Sequence, residues 1–130
     1  MDARALLILV AGPYRSGTND DPALIARNMA AMNRAALTLF RRGHIPVTGE
    51  ALALPLIAEA GSTAIGDAVF NEIFHPISRL LVARCDACVR VGGPSTGADE
   101  MVALAASHGK QVFLRIEDVP DLADGGTDRS

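Results

Sequence analysis

The sequence predicts an α/β protein with a parallel sheet, because short apolar runs alternate with stretches of helical periodicity along its 130 residues. The first run, residues 5–10, is apolar at every position, which is typical of strands covered on both faces. Gly-containing turns directly follow two of the runs, at residues 11–17 and 92–97. Since strands separated by helices pair in parallel through right-handed crossovers, we expect a Rossmann-like (flavodoxin-like) sheet of four to five strands with helices on both faces.

The first helix has the clearest signal. Asp21 is a good N-cap residue, and Pro22 suits the first helical position, where its missing N–H has no intrahelical partner. One apolar stripe follows at helical spacing, formed by Ile25, Met29, Met32, Ala36 and Leu39 with Phe40. Gly43 is a suitable residue for ending this helix.

The middle of the chain is less regular. Residues 44–48 predict a short strand, and Pro46 favours an edge position because it lacks an N–H donor. Residues 49–68 give the weakest pattern: a helix over residues 51–60 is interrupted by Pro55. A mobile flap is one interpretation of this segment.

The last part of the chain predicts a helix, a strand, a second helix and a final strand, over residues 69–84, 87–91, 95–107 and 111–116. Pro76 is expected to kink or restart the first of these helices. Either Ser95 or Thr96 can cap the second. We expect one domain over residues 1–117, with residues 118–130 forming a flexible acidic tail.

Composition and charge argue against several classes of partner. Apolar residues form 49% of the chain and aromatic residues 4%, which predicts an aliphatic core. The net charge of −3 and the absence of a Lys/Arg block argue against binding to a nucleic-acid backbone. The first apolar run is too short for a signal peptide or for the roughly 20 residues of a membrane span. A cytoplasmic protein without a membrane partner is therefore expected.

The cysteines and histidines predict neither a metal nor a cofactor. Cys85 and Cys88 form a Cys-x-x-Cys pair, but no further cysteine completes a zinc site. A redox pair is one interpretation, and two small buried residues is the favoured one. The three histidines, His44, His75 and His108, do not have metal-ligand spacing.

The two Gly-containing turns predict a site for a small anionic ligand. In open α/β sheets, ligands bind beyond the carboxyl ends of the strands, and both turns follow strands directly. The predicted phosphate-binding residues are Gly12, Arg15 and Ser16 in the first turn and Ser95, Thr96 and Gly97 in the second. Arg15 offers a positive fork, and the second turn opens a helix whose N-terminal N–H groups attract anions. Ordinary turn chemistry and a solvated arginine are the alternative explanation.

Glu100 is the candidate nucleophile. It follows Ser95 by little more than one helical turn, about 5–7 Å along the axis. That separation is similar to the distance between a 5′-phosphate and the anomeric carbon of a nucleotide. An ionised carboxylate at this position can attack that carbon. The alternative is that Asp99 and Glu100 only complement the helix dipole.

The chain resembles the nucleoside 2-deoxyribosyltransferase superfamily, which includes nucleotide N-glycoside hydrolases and small bacterial proteins related to them. Residues 11–15 match its Ala/Cys-Gly-x-x-Arg turn, residues 85–89 its Asp-preceded strand, and residues 94–100 its Pro-Ser-x-Gly…Glu segment. The resemblance implies that Glu100 is the nucleophile, that Arg15 and Ser95 hold the 5′-phosphate, and that the protein is a homodimer. Residues 92–100 are also faintly similar to the loop of phosphoribohydrolases that release cytokinin bases.

Two positions and one spacing depart from the family pattern. Leu9 stands where the family often has Tyr, which leaves Tyr14 as a substitute, and Ser78 stands where it has a catalytic Asp, which leaves Asp67 or Glu72. The Gly97-to-Glu100 spacing is one residue shorter than in the hydrolase branch.

The candidate catalytic residues are therefore Glu100, Tyr14 and Asp67. The sequence predicts a nucleoside 5′-monophosphate N-glycosidase or a deoxyribosyltransferase-like enzyme. The alternative is a non-catalytic nucleotide-binding module of the same fold.

Overall fold

The computed structural model describes residues 4–125, which contain four β-strands and four α-helices. The strands are Leu7–Ala11 (β1), Ile45–Val47 (β2), Ala87–Arg90 (β3) and Gln111–Phe113 (β4). The helices are Pro22–Arg41 (α1), Gly49–Glu59 (α2), Ala68–Val82 (α3) and Thr96–Ser107 (α4). Two 3₁₀ turns follow β4, at Ile116–Asp118 and Leu122–Gly125.

All strand pairs are parallel, and the strand order is β2-β1-β3-β4. The α/β class with a four-stranded parallel sheet is confirmed, and it is compatible with a Rossmann-like fold. The predicted edge position of the Pro46 strand is also confirmed. The strand order reverses between β1 and β3, and this reversal is the point at which open α/β sheets bind ligands.

Alternate residues of β1 pack into two different apolar clusters. Ile8 and Val10 pack with Met32 and Leu39 of α1, while Leu9 packs with residues of α3 and α4. All of these β1 side chains are buried, which explains why the strand is apolar at every position.

Helix α1 begins and ends where the sequence predicts. The Asp21 side chain accepts a hydrogen bond from the backbone N–H of Ala23, and Pro22 occupies the first turn. The apolar stripe is buried at Ile25, Met32 and Leu39, but Phe40 is 61% exposed. Phe40 projects about 100° around the helix from the buried Leu39, and it lies on the solvent side.

The two internal prolines do not end their helices. Helix α2 continues through Pro55, and α3 continues through Pro76. An internal proline costs a helix about 3 kcal/mol. A buried cluster offsets this cost, since Ala53 and Ile57 of α2 pack against two phenylalanines of α3, Phe70 and Phe74.

The segment after β4 is packed against α1 instead of starting a flexible tail at residue 118. Val119 is 3% exposed. The Arg42 side chain donates to the backbone carbonyls of Ile116 and Val119, and the N–H of Leu122 donates to the Arg42 carbonyl. The predicted final strand is also shorter, because β4 ends at Phe113. Residues 126–130 of the predicted tail lie outside the described residues.

Cys85 and Cys88 are buried free thiols in the apolar cluster with Leu9. Burial raises the pKa of Cys88 to about 12, which keeps its sulfur protonated near neutral pH. This environment agrees with the favoured interpretation of two small core residues.

Within residues 4–125, the helices are all too short or too polar to cross a membrane.

His44 connects three parts of the fold. Its Nδ1 accepts from the N–H of Leu6, 3.1 Å away, so the proton of the neutral ring is on Nε2. Nε2 donates to the carbonyl of Pro120 at 2.7 Å. The ring is buried, and it joins the start of β1, the entry to β2 and the C-terminal segment.

We expect His44→Ala to lower the free energy of unfolding by about 2–4 kcal/mol, because a buried ring is removed and two backbone groups lose their hydrogen-bond partner. Urea unfolding measures this change. His108→Ala is the matched control, since His108 is exposed at the end of α4, and it should change stability by less than about 0.5 kcal/mol. Equal effects of the two variants would contradict the connecting role of His44.

Candidate functional site

A cavity of about 440 Å³ lies at the carboxyl ends of the strands. Its lining comes from the turn after β1, the first residues of α2, one face of α3 and the start of α4. This volume falls within the range of small-molecule sites. The cavity therefore occupies the position that the strand order predicts for a ligand.

Five of the six predicted phosphate-binding residues line this cavity: Gly12, Arg15, Ser16, Ser95 and Gly97. Thr96 does not; it is the exposed first residue of α4. The structure therefore brings together the two turns that the sequence singles out.

Two serine hydroxyls join the turns. Ser16 Oγ donates to Ser95 Oγ at 3.1 Å, across the gap between the two segments. Ser95 Oγ also accepts from the N–H of Ala98 at 3.1 Å, so Ser95 is the N-cap of α4. Ser95 is buried, and it connects the N-terminus of α4 to the first turn.

Arg90, which the sequence analysis did not select, holds the second turn in shape. Its guanidinium donates to the carbonyls of Val91 and Gly93 and, through Nε, to the carboxylate of Asp99 at 2.9 Å. The side chain is 14% exposed. Gly92 has a φ of +79°, and a Cβ there would lie 2.7 Å from Pro13 Cδ, so the two turns are in close contact. Arg90 is the last residue of β3, so in the sequence it has only the pattern of a strand residue, which does not indicate its contacts with the turn.

Arg15 lines the cavity, but its charge is already paired. Its Nε and Nη2 donate to the two carboxylate oxygens of Asp20 at 2.8 and 2.9 Å. This hydrogen bond raises the pKa of Arg15, and the same contact lowers the pKa of Asp20. The guanidinium also lies 5.5 Å from the centre of the Phe70 ring. The sequence pattern does not indicate Asp20 as a partner of Arg15, because the pairing depends on the fold of the turn.

Glu100 is exposed on α4 and does not line the cavity. Gly97, Ala98 and Met101 of the same helix do line it. Because the helix rotates about 100° per residue, the face that presents Ala98 and Met101 to the cavity turns Glu100 away. Of the two residues expected to converge, Arg15 therefore lines the cavity and Glu100 does not, and an apolar side chain, Met101, is at the cavity-facing position of α4.

Asp67 is also outside the cavity, and its carboxylate has another function. It is the N-cap of α3 and accepts four hydrogen bonds, from the N–H groups of Phe70, Thr63 and Ala64 and from the Ser62 hydroxyl. The backbone bonds, that from Phe70 first, lower the pKa of Asp67 to about 2. These contacts show that the Asp67 carboxylate caps the N-terminus of α3.

Tyr14 does line the cavity, and it lies beside a carboxyl group that the sequence analysis missed. Burial, and then the charge of Glu50, raise the pKa of the Tyr14 hydroxyl. Glu50 lies in the first turn of α2, and burial raises the pKa of its carboxyl group. A signal for Glu50 exists in the sequence, because it follows the predicted strand 44–48 almost directly and so belongs at the same sheet edge as the two turns.

The wall contributed by α3 is partly aromatic. Phe74 lies 5.3 Å from Tyr14 between ring centres and contacts the edge of His75. Phe74, His75 and Ser78 all line the cavity. Ser78, which carries a hydroxyl and not a carboxylate, is therefore at the site.

Gly49 allows α2 to approach α3 closely next to Glu50. A Cβ at Gly49 would overlap the Ser78 hydroxyl oxygen and lie 3.1 Å from Ser78 Cβ. Even a methyl group at this position therefore requires the two helices or the Ser78 side chain to move.

We expect Asp67→Ala to lower the melting temperature at neutral pH, and the loss to shrink in acid. The folded pKa of about 2 lies below the ordinary value of 3.8, so the stabilisation is complete above pH 4 and is lost as the pH falls through 2. Thermal unfolding of both proteins between pH 7 and pH 2 measures the difference. Glu72→Ala, on the exposed side of the same helix, is the control. A gap between wild type and Asp67→Ala that stays constant with pH would contradict the assignment.

We expect Gly49→Ala to destabilise the protein by about 1–3 kcal/mol, because the new methyl group overpacks the contact between α2 and α3. In the Ser78→Ala background the same change should cost less, since the overlapping hydroxyl is absent. Urea unfolding of the four proteins gives the coupling. An identical cost in both backgrounds would show that the strain at Gly49 does not arise from Ser78.

Comparison with known proteins gives no further assignment: no protein-family model matches the chain, and no curated protein matches it.

Proposed function

We propose that the protein binds a nucleoside 5′-monophosphate in this cavity and cleaves its N-glycosidic bond, with Glu50 as the reacting carboxylate. The observation that carries this proposal is the composition of the cavity: anion-binding groups from two turns and a partly buried carboxyl group line one space. We infer a flavodoxin-like arrangement, in which helices cover both faces of the sheet and the ligand binds at the strand reversal.

The phosphate group is assigned to the end of the cavity where the two turns meet. Ser16 and Ser95 offer hydroxyl groups 3.1 Å apart, and Ser95 begins α4. The N-terminus of a helix carries partial positive charge and free N–H groups, which stabilise a phosphate. Gly97 in the first turn of α4 lacks a side chain that would block this approach.

Glu50 is assigned the role that the resemblance gives to Glu100. A desolvated carboxyl group with a raised pKa is typical of groups that take part in acid–base or nucleophilic chemistry. In the proposed reaction, the Glu50 carboxylate attacks the anomeric carbon, and the base leaves with the electron pair of the C–N bond. The leaving base takes a proton from His75 or solvent, and water then hydrolyses the glycosyl ester.

The wall formed by Tyr14, Phe74 and His75 suits the base. Planar rings stack on aromatic side chains, and the Tyr14 hydroxyl offers a polar contact beside Glu50. The homodimer and the cytoplasmic location expected from the sequence stay predictions.

A second candidate function is a nucleotide-binding module without catalysis. Met101 favours it, because this residue places an apolar side chain at the cavity-facing position of α4, one residue after Glu100. In that case Glu50 would contact the sugar or base without reacting. Turnover distinguishes the two functions.

The test is incubation with a panel of ribo- and deoxyribonucleoside monophosphates, followed by chromatographic detection of free base. We expect base release by the wild type and a loss of at least about 100-fold in Glu50→Gln, because the amide cannot act as nucleophile. Glu100→Gln, which removes an acid outside the cavity, is the matched control and should retain activity. The rate should also fall in acid as Glu50 becomes protonated, at a higher pH than for an ordinary glutamate.

Two outcomes would contradict the enzymatic proposal. Full activity of Glu50→Gln would remove the assigned nucleophile. A rise in melting temperature with a nucleotide, without release of base from any member of the panel, would favour the binding module instead.

A further inference from the structure

The two donors of Arg15 that are best arranged for a phosphate are bound by the protein itself. Arg15 Nε and Nη2 donate to Asp20 Oδ1 and Oδ2 at 2.8 and 2.9 Å, a bidentate contact. Arginine binds phosphate oxygens with the same pair of parallel N–H groups. Asp20 therefore occupies on Arg15 the place that an anionic group of a ligand would take.

The turn that carries Asp20 is built to return it to Arg15. The Thr18 hydroxyl donates to the Arg15 carbonyl at 2.6 Å and accepts from the Asp20 N–H at 3.0 Å. Thr18 is buried, so this pair of bonds is protected from water. Asn19 and Asp20 have φ values of 49° and 58°, in the left-handed region that non-glycine residues seldom adopt.

Two neighbours limit the movement of the Arg15 guanidinium. It lies over the Phe70 ring at 5.5 Å, and a Cβ at Gly66 would be only 2.8 Å from Nη2. Arg15 and Asp20 both line the cavity, and their side chains are 37% and 45% exposed. A ligand in the cavity can therefore reach both members of the ion pair.

We propose that Asp20 competes with the ligand's anionic group for Arg15, and that it limits how much negative charge the cavity accepts. This inference rests on the proposed function only in that a phosphate-bearing ligand binds beside Arg15. The charged side chains that line the cavity are Arg15, Asp20 and Glu50, so carboxylates outnumber guanidinium groups there. A monophosphate fits at the Ser16–Ser95 end, whereas additional phosphates meet the Asp20 carboxylate. Asp20 is then a specificity-determining residue for monophosphates over di- and triphosphates.

The test is isothermal titration of inorganic phosphate, adenosine 5′-monophosphate and adenosine 5′-diphosphate into the wild type and Asp20→Asn. Asparagine also adopts positive φ values, so the turn can keep its conformation. We expect the dissociation constants to fall by about threefold to fivefold, as for the loss of one partly exposed competing ion pair. The gain should be larger for the diphosphate than for the monophosphate, and it should shrink in high salt.

Further variants test whether the effect is specific to Asp20 and acts through Arg15. Asp21→Asn removes the same charge one residue away, outside the cavity, and asparagine also caps helices, so it should not change binding. Arg15→Gln should weaken binding. In Arg15→Gln/Asp20→Asn, the gain from Asp20→Asn should disappear, because Asp20 acts through Arg15. Asp20→Gly, which also accommodates positive φ, replaces Asp20→Asn if the latter does not fold.

An unchanged or weaker affinity in Asp20→Asn would overturn the inference, since Asp20 would then position Arg15 for the ligand or have no effect on it. No binding of any of the three probes to wild type or variant would overturn it as well. The proposed function fails separately: tighter phosphate binding by Asp20→Asn without base release supports the competitor and contradicts the enzyme. Base release by the wild type, with no tighter phosphate binding in Asp20→Asn, supports the enzyme and contradicts the competitor.

Discussion

Parallel pairing of β1 with β2 on one edge and with β3 on the other brings the carboxyl ends of three strands to the same side of the sheet. Each of these strands leads directly into a segment that lines the cavity or supports it: the turn with Arg15, the start of α2 with Glu50, and the turn before Ser95. Because the strand order reverses next to β1, the chain leaves this edge uncovered. The site thus depends on backbone pairing first and on side chains second.

The carboxyl groups near this edge of the sheet lie in two kinds of environment. Asp67 caps α3 and Asp20 pairs with Arg15, and these N–H and charged donors lower the pKa of both carboxyl groups. Asp99 pairs with Arg90. Glu50 is in a different environment, where burial disfavours the charge. That contrast is the physical reason for assigning the proposed chemistry to Glu50.

Packing overrides the local signals at several points of the fold. The prolines of α2 and α3 are tolerated because the helices share a buried aromatic and aliphatic cluster. The sequence of the residues after β4 predicts an acidic tail. Hydrogen bonds from the side chains of Arg42 and His44 to backbone carbonyls of this segment hold it against the domain. In each case the local cost is offset by contacts with residues far away in the sequence.

The sequence was sufficient for the α/β class, the capped first helix, the edge strand with Pro46 and the two turns that meet at the cavity. These features depend on periodicity, on capping and on the chemistry of glycine and proline, all of which act over a few residues. The same local signals do not determine which carboxylate faces the cavity. One residue along α4 changes direction by about 100°, so Met101 and not Glu100 faces the cavity, and Glu50 reaches it from the first turn of α2. Packing between elements that are far apart in the sequence decides which carboxylate faces the cavity, because it fixes the rotation of each helix against the sheet.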